Sequence, residues 1–147
     1  MIAPTGQLTD ALRLFGDPTR LRILGLLELA ELSVGELARA LELQQSRVSN
    51  HLRVLRDAHL LAERHEGRAT FLRVASADDD TRDLNARLWT TVRAEVPTLP
   101  EFTSDVARLQ SVLDERRTRS RAFFDRVASD WDTIGVDFRT GQARQRA

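Results

Sequence analysis

Polar side chains suited to reading the edges of DNA bases are concentrated between residues 45 and 56. On a helical wheel, Val48, Leu52 and Leu55 form one apolar face. The candidate DNA contacts lie opposite or beside that face: Gln45, Ser46, Arg47, Ser49, Asn50, His51 and Arg53. Arginine can bridge two acceptors of guanine, asparagine or glutamine can bridge adenine, and small hydroxyls and arginine also hold phosphates. A polar helix face is more often simply solvated, so the interpretation depends on the neighbouring elements.

The residues before this helix predict three further helices. Apolar spacing favours a short helix over residues 8–15 and a second over 18–30, which Asp17 and Pro18 would open. Ser33 and Glu36 have the spacing of a capping box at the start of a third helix, which ends near residue 41. The helix from 45 to about 58 would then follow after a turn of a few residues.

After residue 58 the pattern changes to that of a β-hairpin. Strand-like runs at residues 60–64 and 69–74 flank a turn that contains Gly67. The resulting fold class is mainly α with a small β-hairpin wing, a winged helix-turn-helix, in which the helix after the turn enters the major groove. Arg64 and Arg68 are candidate phosphate contacts in the wing; alternatively, the hairpin tip pairs internally with Glu63 and Glu66.

Charge and composition bound the possible functions. The chain has 147 residues, with 22 basic and 22 acidic side chains, no cysteine and no lysine. Zero net charge argues against nucleic acid as a partner, but residues 44–74 carry six arginines against three acids, a net +3. The absence of cysteine excludes disulfides, thiolate metal ligands and a cysteine nucleophile. No signal peptide or membrane-length apolar run is seen, so we expect a cytoplasmic protein with no membrane partner.

Three segments, in order, resemble the ArsR/SmtB family: residues 15–24 (FGDPTRLRIL), 32–38 (LSVGELA) and 45–55 (QSRVSNHLRVL). The resemblance covers about residues 8 to 75 and implies a dimeric winged-helix repressor. It places Gln45, Ser46, Ser49 and His51 at the family's DNA-contact positions. It also implies dimerisation through the first helix and the helix after the wing. With the apolar seam that follows, the candidate dimer residues are Leu8, Leu12, Phe15, Leu84, Leu88, Val92, Val106, Leu109 and Leu113.

The sequence departs from the family pattern in two ways. Glu42 and His59 stand where glycine is common, and a positive φ is costlier for these residues. The family's metal sensors carry cysteines where this chain has Ser33 and Gly35, and Asn85 replaces a histidine of the family's other site. We therefore predict no metal site.

The chain after the wing predicts a further helix and then an extension. Acidic residues at 77–83 favour the start of a helix that ends before Pro97. Residues 97–100, with prolines at both ends, indicate a linker. The predicted domains are 1–97, the DNA-binding and dimerisation domain, and 98–147, a helical extension that gives the dimer long C-terminal helices. Residues 102, 106, 109 and 113 have heptad-like spacing.

Residues 121–132 resemble the first helix of S-adenosylmethionine-dependent methyltransferases. That resemblance suggests an adenosyl-compound effector near Phe123, Phe124 and Trp131; alternatively, these residues form an amphipathic helix that packs on the dimer.

The sequence as a whole favours a homodimeric repressor that binds a pseudo-palindromic operator in double-stranded DNA. It predicts no enzyme activity and no cofactor, with control by a small organic effector as an extension of the hypothesis. One alternative is an effector-free protein-interaction module. Another is the front part of a methyltransferase fusion, although the glycine-rich nucleotide loop of such enzymes is absent from these residues.

Overall fold

The computed structural model describes residues 6–76 and 83–144, with side chains described up to residue 131. Its contacts divide the chain into two compact units, Met1–Gln110 and Ser111–Ala147. The sequence places the domain boundary earlier, at 97/98. Phe102, Asp105 and Leu109 lie beyond that point and are nevertheless buried in the first unit. The prolines at 97 and 100 therefore mark a turn, because the chain beyond them returns to the same core.

Four helices form most of the first unit: α1 (Gln7–Phe15), α2 (Pro18–Leu29), α3 (Val34–Leu41) and α4 (Gln45–Asp57). Their bounds agree closely with the predicted helices. Asp17 caps α2 by accepting from the Thr19 N–H at 2.8 Å. The capping box of α3 is complete, because Ser33 Oγ accepts from the Glu36 N–H at 3.2 Å and the Ser33 N–H donates to Glu36 Oε1 at 3.0 Å.

The wing is an antiparallel hairpin of β1 (Leu61–Glu66) and β2 (Ala69–Val74). Gly67 lies in its turn with φ of +60°, a conformation that costs glycine little. Leu32, between α2 and α3, pairs with Leu72 of β2 through backbone hydrogen bonds of 3.1 and 2.8 Å. The hairpin is thereby attached to the helix-turn-helix.

The elements after the wing are α5 (Leu84–Val92), a 3₁₀ helix (Arg93–Thr98) and α6 (Phe102–Arg144). Asp83 caps α5, but residues 77–82 of the predicted acidic start lie outside the described residues. α5 ends at Val92, before Pro97 as predicted, and the 3₁₀ helix that follows contains Pro97. Over the described residues, every helix is too short or too polar to cross a bilayer.

The hydrophobic core joins α2, α3, α4 and the wing. Its side chains are no more than 1% exposed: Ile23, Leu24, Leu26, Leu32, Leu37, Val48, Leu52, Leu55 and Leu72. Burying each leucine or isoleucine contributes about 1.5–3 kcal/mol. Three of these residues belong to α4, so the orientation of that helix is determined largely by its packing.

Glu42 and His59 have positive φ values of 54° and 60°, as expected from the glycines common at these positions in the family. Glu42 ends α3, and His59 follows the end of α4. The left-handed conformation costs a non-glycine residue about 1–2 kcal/mol. The protein therefore retains both turns at the expense of some stability.

Candidate nucleic-acid interface

The polar face predicted for α4 is present in the structure. Val48, Leu52 and Leu55 are buried, and Gln44 precedes the helix without capping it through its side chain. Six of the seven candidate DNA contacts on this helix are exposed: Gln45, Ser46, Arg47, Ser49, Asn50 and Arg53. The buried apolar face fixes the position of the helix, and the helix presents these six side chains to solvent.

The seventh candidate, His51, is only half-exposed, and the protein itself engages its ring. Arg20 Nε donates to His51 Nδ1 at 3.4 Å, and Arg20 also contacts Asp17 at 3.6 Å and the Leu14 carbonyl at 3.4 Å. Burial lowers the pKa of His51 below 6.5, against the opposing effect of Asp17. The neutral ring therefore ties α4 to the start of α2, and a direct contact of His51 with DNA stays a prediction. Sequence reasoning missed Arg20, because its segment was interpreted only as a helix start.

The arginines of the basic region divide into open and paired groups. Arg47, Arg53 and Arg68 are exposed, and they form no ion pair with any residue in the described part of the chain. By contrast, Arg56 Nε lies 2.7 Å from Glu63 Oε1. The open cations therefore lie on α4 and at the tip of the wing.

Arg64 of the wing is paired within the protein. Its Nε lies 2.7 Å from Glu31 Oε2 and its Nη1 lies 2.7 Å from Glu66 Oε2. Its guanidinium also lies 5.0 Å from the centre of the Phe71 ring, and hydrogen bonds to Glu66 and Glu31 raise its pKa. Without DNA, Arg64 is therefore paired inside the protein, and the phosphate contact predicted for it stays a prediction.

The residues proposed for dimerisation differ in exposure. Leu8 and Leu12 are 59% and 55% exposed on α1, which packs beside α5. Five of the six candidates on α5 and α6 are partly exposed: Leu84, Leu88, Val92, Val106 and Leu113. Phe15 and Leu109 are 8% and 1% exposed inside the protomer. Leu109 therefore belongs to the protomer's own core, because the start of α6 packs there through the stripe at 102, 105 and 109.

The aromatic residues of α6 are strongly exposed. Phe123, Phe124 and Trp131 are 56%, 67% and 68% exposed, and the Phe123 and Phe124 rings meet edge to face at 5.8 Å. Such exposure provides little enclosure for a ligand. The adenosyl-compound effector at these residues stays a prediction.

The positions at which metal-sensing family members carry ligands have other contacts here. Ser33 caps α3, and the Asn85 side chain donates to the Ala58 carbonyl at 3.4 Å. Within residues 6–76 and 83–131, no three histidine or acidic side chains converge as metal ligands.

Comparison with known proteins identifies the helix-turn-helix region. The family model described as bacterial regulatory protein, arsR family, matches residues 17–63. The arsenical resistance operon repressor of Escherichia coli (strain K12) is 41% identical over 64 residues, which cover 43% of this chain and 55% of that protein. The chain spans about half the length of the curated relatives that it matches.

Two solved structures are similar in fold. Rv0081 from M. tuberculosis is 31% identical with a TM-score of 0.51, over 66% of this chain and 93% of that chain. The homodimeric winged helix-turn-helix DNA-binding domain of Mb0332 from Mycobacterium bovis is 24% identical with a TM-score of 0.51, over 69% and 93% of the two chains. At that identity the second likeness concerns the fold alone, and it agrees with the predicted winged helix-turn-helix.

Proposed function

The chain belongs to the arsR family of bacterial regulatory proteins, and on that premise we propose that it is a homodimeric repressor of transcription that binds operator DNA. The family and the matched E. coli repressor are regulators, in agreement with the prediction that the chain is not an enzyme. The observation that carries the proposal is the exposed polar face of α4, set against an apolar face that is wholly buried.

In the proposed complex, α4 enters the major groove and the wing lies along the backbone. Gln45 and Asn50 are suited to adenine, and Ser46 and Ser49 to either bases or phosphates. The open guanidinium groups hold the backbone or guanine: Arg47, Arg53 and Arg68. This assignment leaves Arg64 with its internal carboxylates.

The proposed dimer places two copies of α4 on a pseudo-palindromic operator with half-sites about one helical turn apart. Leu8 and Leu12 support it, because both are exposed leucines on one helix. The similar domain of Mb0332 is a homodimer, which is consistent with the same arrangement here.

The test compares a duplex from the chain's own promoter with a scrambled duplex of equal length and composition, using fluorescence anisotropy. We expect the promoter duplex to bind about a thousandfold more tightly or better. Equal, weak affinity for both duplexes would contradict sequence-specific repression.

Two arginine variants test the assignment of α4. Arg47→Ala should lower affinity for the promoter duplex about tenfold, because it removes an open cation from the reading face. Arg56→Ala is the matched control on the same helix, since its side chain is already paired with Glu63 and such exposed pairs contribute little stability. Light scattering should show that both variants keep the oligomeric state. If Arg47→Ala lost only stability, α4 would not be the reading element.

A further inference from the structure

We infer that Arg22, Asp105 and Arg108 act as positioning residues that hold the turn between α3 and α4, and so set where the DNA-reading face of α4 begins. We call these three residues the Asp105 cluster. Its effect on DNA rests on the proposed function, whereas its effect on the turn can be measured without DNA.

The centre of the cluster is a carboxylate with no exposure to solvent. Asp105 accepts hydrogen bonds from Arg22 Nε at 2.6 Å, Arg22 Nη2 at 2.7 Å and Arg108 Nη2 at 2.7 Å. Burying charges is costly, and apolar side chains of similar volume often stabilise a fold equally well. The ion pairs add direction instead, because a two-pronged guanidinium–carboxylate contact fixes both distance and angle.

The same two arginines reach the end of α3. Arg108 Nε donates to the Ala40 carbonyl at 2.6 Å, and Arg22 Nη2 lies 3.5 Å from the Leu41 carbonyl. Arg108 Nη1 also lies 3.7 Å from the Glu42 carboxylate. Carbonyls in the last turn of a helix lack partners within the helix and carry its negative dipole end, so cations bind there favourably.

The residue in contact with Arg108 is the one that ends α3. Glu42 has φ of 54° and α4 begins three residues later, at Gln45. The Leu43 N–H closes the turn by donating to the Ala38 carbonyl at 3.0 Å. The Asp105 cluster thus contacts the end of α3 at Ala40, Leu41 and Glu42, where the turn begins. The apolar face of α4, beyond the turn, packs in the core.

A second, apolar contact brings the start of α6 to its place. A Cβ added at Gly25 of α2 would lie 2.7 Å from Phe102 Cε2, so the close approach of Phe102 needs a glycine at this position. Phe102 lies about one helical turn before Asp105 on α6. Its contact with Gly25 therefore places the Asp105 carboxylate beside Arg22. Two independent contacts fix the first turns of α6 against α2.

The test uses Arg108→Met in the full chain, which keeps the aliphatic stem and leaves the Arg22–Asp105 pair intact. Asp105→Asn, which removes the charge, is the second variant. The matched control is Asp114→Asn, which removes an exposed carboxylate that pairs with Arg117 at 3.5 Å on the same helix. Hydrogen exchange is compared at the amides of residues 42–46 and of residues 23–27.

In Arg108→Met we expect the amides of residues 42–46 to exchange faster and those of residues 23–27 to exchange at the wild-type rate. In the control Asp114→Asn both segments should exchange at the wild-type rate. We also expect affinity for the promoter duplex to fall about tenfold, the size of one charge-assisted hydrogen bond, with the same salt dependence. Unchanged exchange, or an equal increase at both segments, would overturn the inference. So would wild-type affinity in the folded variant. If the wild-type chain shows no preference for its promoter, the proposed function fails, and the exchange data still decide whether the cluster holds the turn.

Discussion

Arginine side chains that look alike in the sequence do different things in the fold. Arg64 is held by Glu66, two residues away, and by Glu31, which is 33 residues away along the chain. Arg47 and Arg53 form no ion pair with any described residue. Counting charges over residues 44–74 gives a net +3, but local sequence does not show which cations are already neutralised. Only the tertiary contacts separate them.

His51 makes the stability of the protein depend on pH. Because its pKa is lowered in the folded state, the unfolded chain binds its proton first as pH falls below 6.5. Folding stability should be full above that pH and decline as the pH falls toward the folded-state pKa. The groups facing the ring are Asp17, Arg20 and Arg47, of which only the carboxylate favours protonation.

The measurement is the urea unfolding midpoint at pH 7.5 and pH 5.5. His51→Gln should reduce the difference between the two midpoints, because an amide does not titrate. His65→Gln, on the exposed wing, is the control and should leave the difference as it is. If His51→Gln showed the same difference between the two midpoints as the wild type, the pH dependence of stability would come from other groups.

The backbone at residue 59 offers a stabilising substitution. His59→Gly should raise the free energy of unfolding by about 1 kcal/mol, because glycine adopts a positive φ without strain. Thermal or urea unfolding monitored by circular dichroism measures the gain. The converse control is Gly67→Ala at φ of +60°, which should lower stability by a similar amount. A loss of stability in His59→Gly would show that contacts of the imidazole outweigh the strain.

At the scale of elements, local signals predicted α1 to α4 and the hairpin. The Asp17 cap, the Ser33–Glu36 capping box and the apolar period of α4 all depend on residues a few positions apart. The packing of α6 could not be predicted in this way, since Arg22 and Asp105 are 83 residues apart. The heptad-like spacing of α6 suggested a dimer seam, whereas Leu109 lies in the protomer's own core.

The extent of the first unit predicts how truncated chains behave. A fragment ending at residue 110 retains Phe102, Asp105 and Leu109, whereas one ending at residue 97 lacks all three and leaves Arg22 without its carboxylate. The shorter fragment should be less stable by at least about 3 kcal/mol, the cost of losing one large core side chain. Urea unfolding of the two fragments measures the difference, and equal midpoints would contradict it.

At the scale of the whole molecule, zero net charge is an average over a surface on which half of the arginines of the basic region, Arg56, Arg64 and Arg73, are paired with acids. Each protomer presents Arg47, Arg53 and Arg68 as open cations in the proposed interface. Binding of the proposed dimer to its operator should therefore show a slope of about −5 in log affinity against log salt. Titrations between 50 and 200 mM salt, the range over which such slopes develop, provide the measurement. A slope near twice that value would mean that the paired arginines leave their carboxylates when DNA binds.

The pairing of Arg64 with Glu31 and Glu66, and of Arg73 with Glu31, has a consequence for how such a repressor would search a genome. Attraction to arbitrary sequence comes almost entirely from cations on phosphates, and a genome offers about a million or more competing sites. A chain that keeps half of its basic region neutralised spends less time trapped on those sites. For the proposed repressor, a larger fraction of copies would then be free to reach the operator, and fewer molecules per cell would be needed to occupy it.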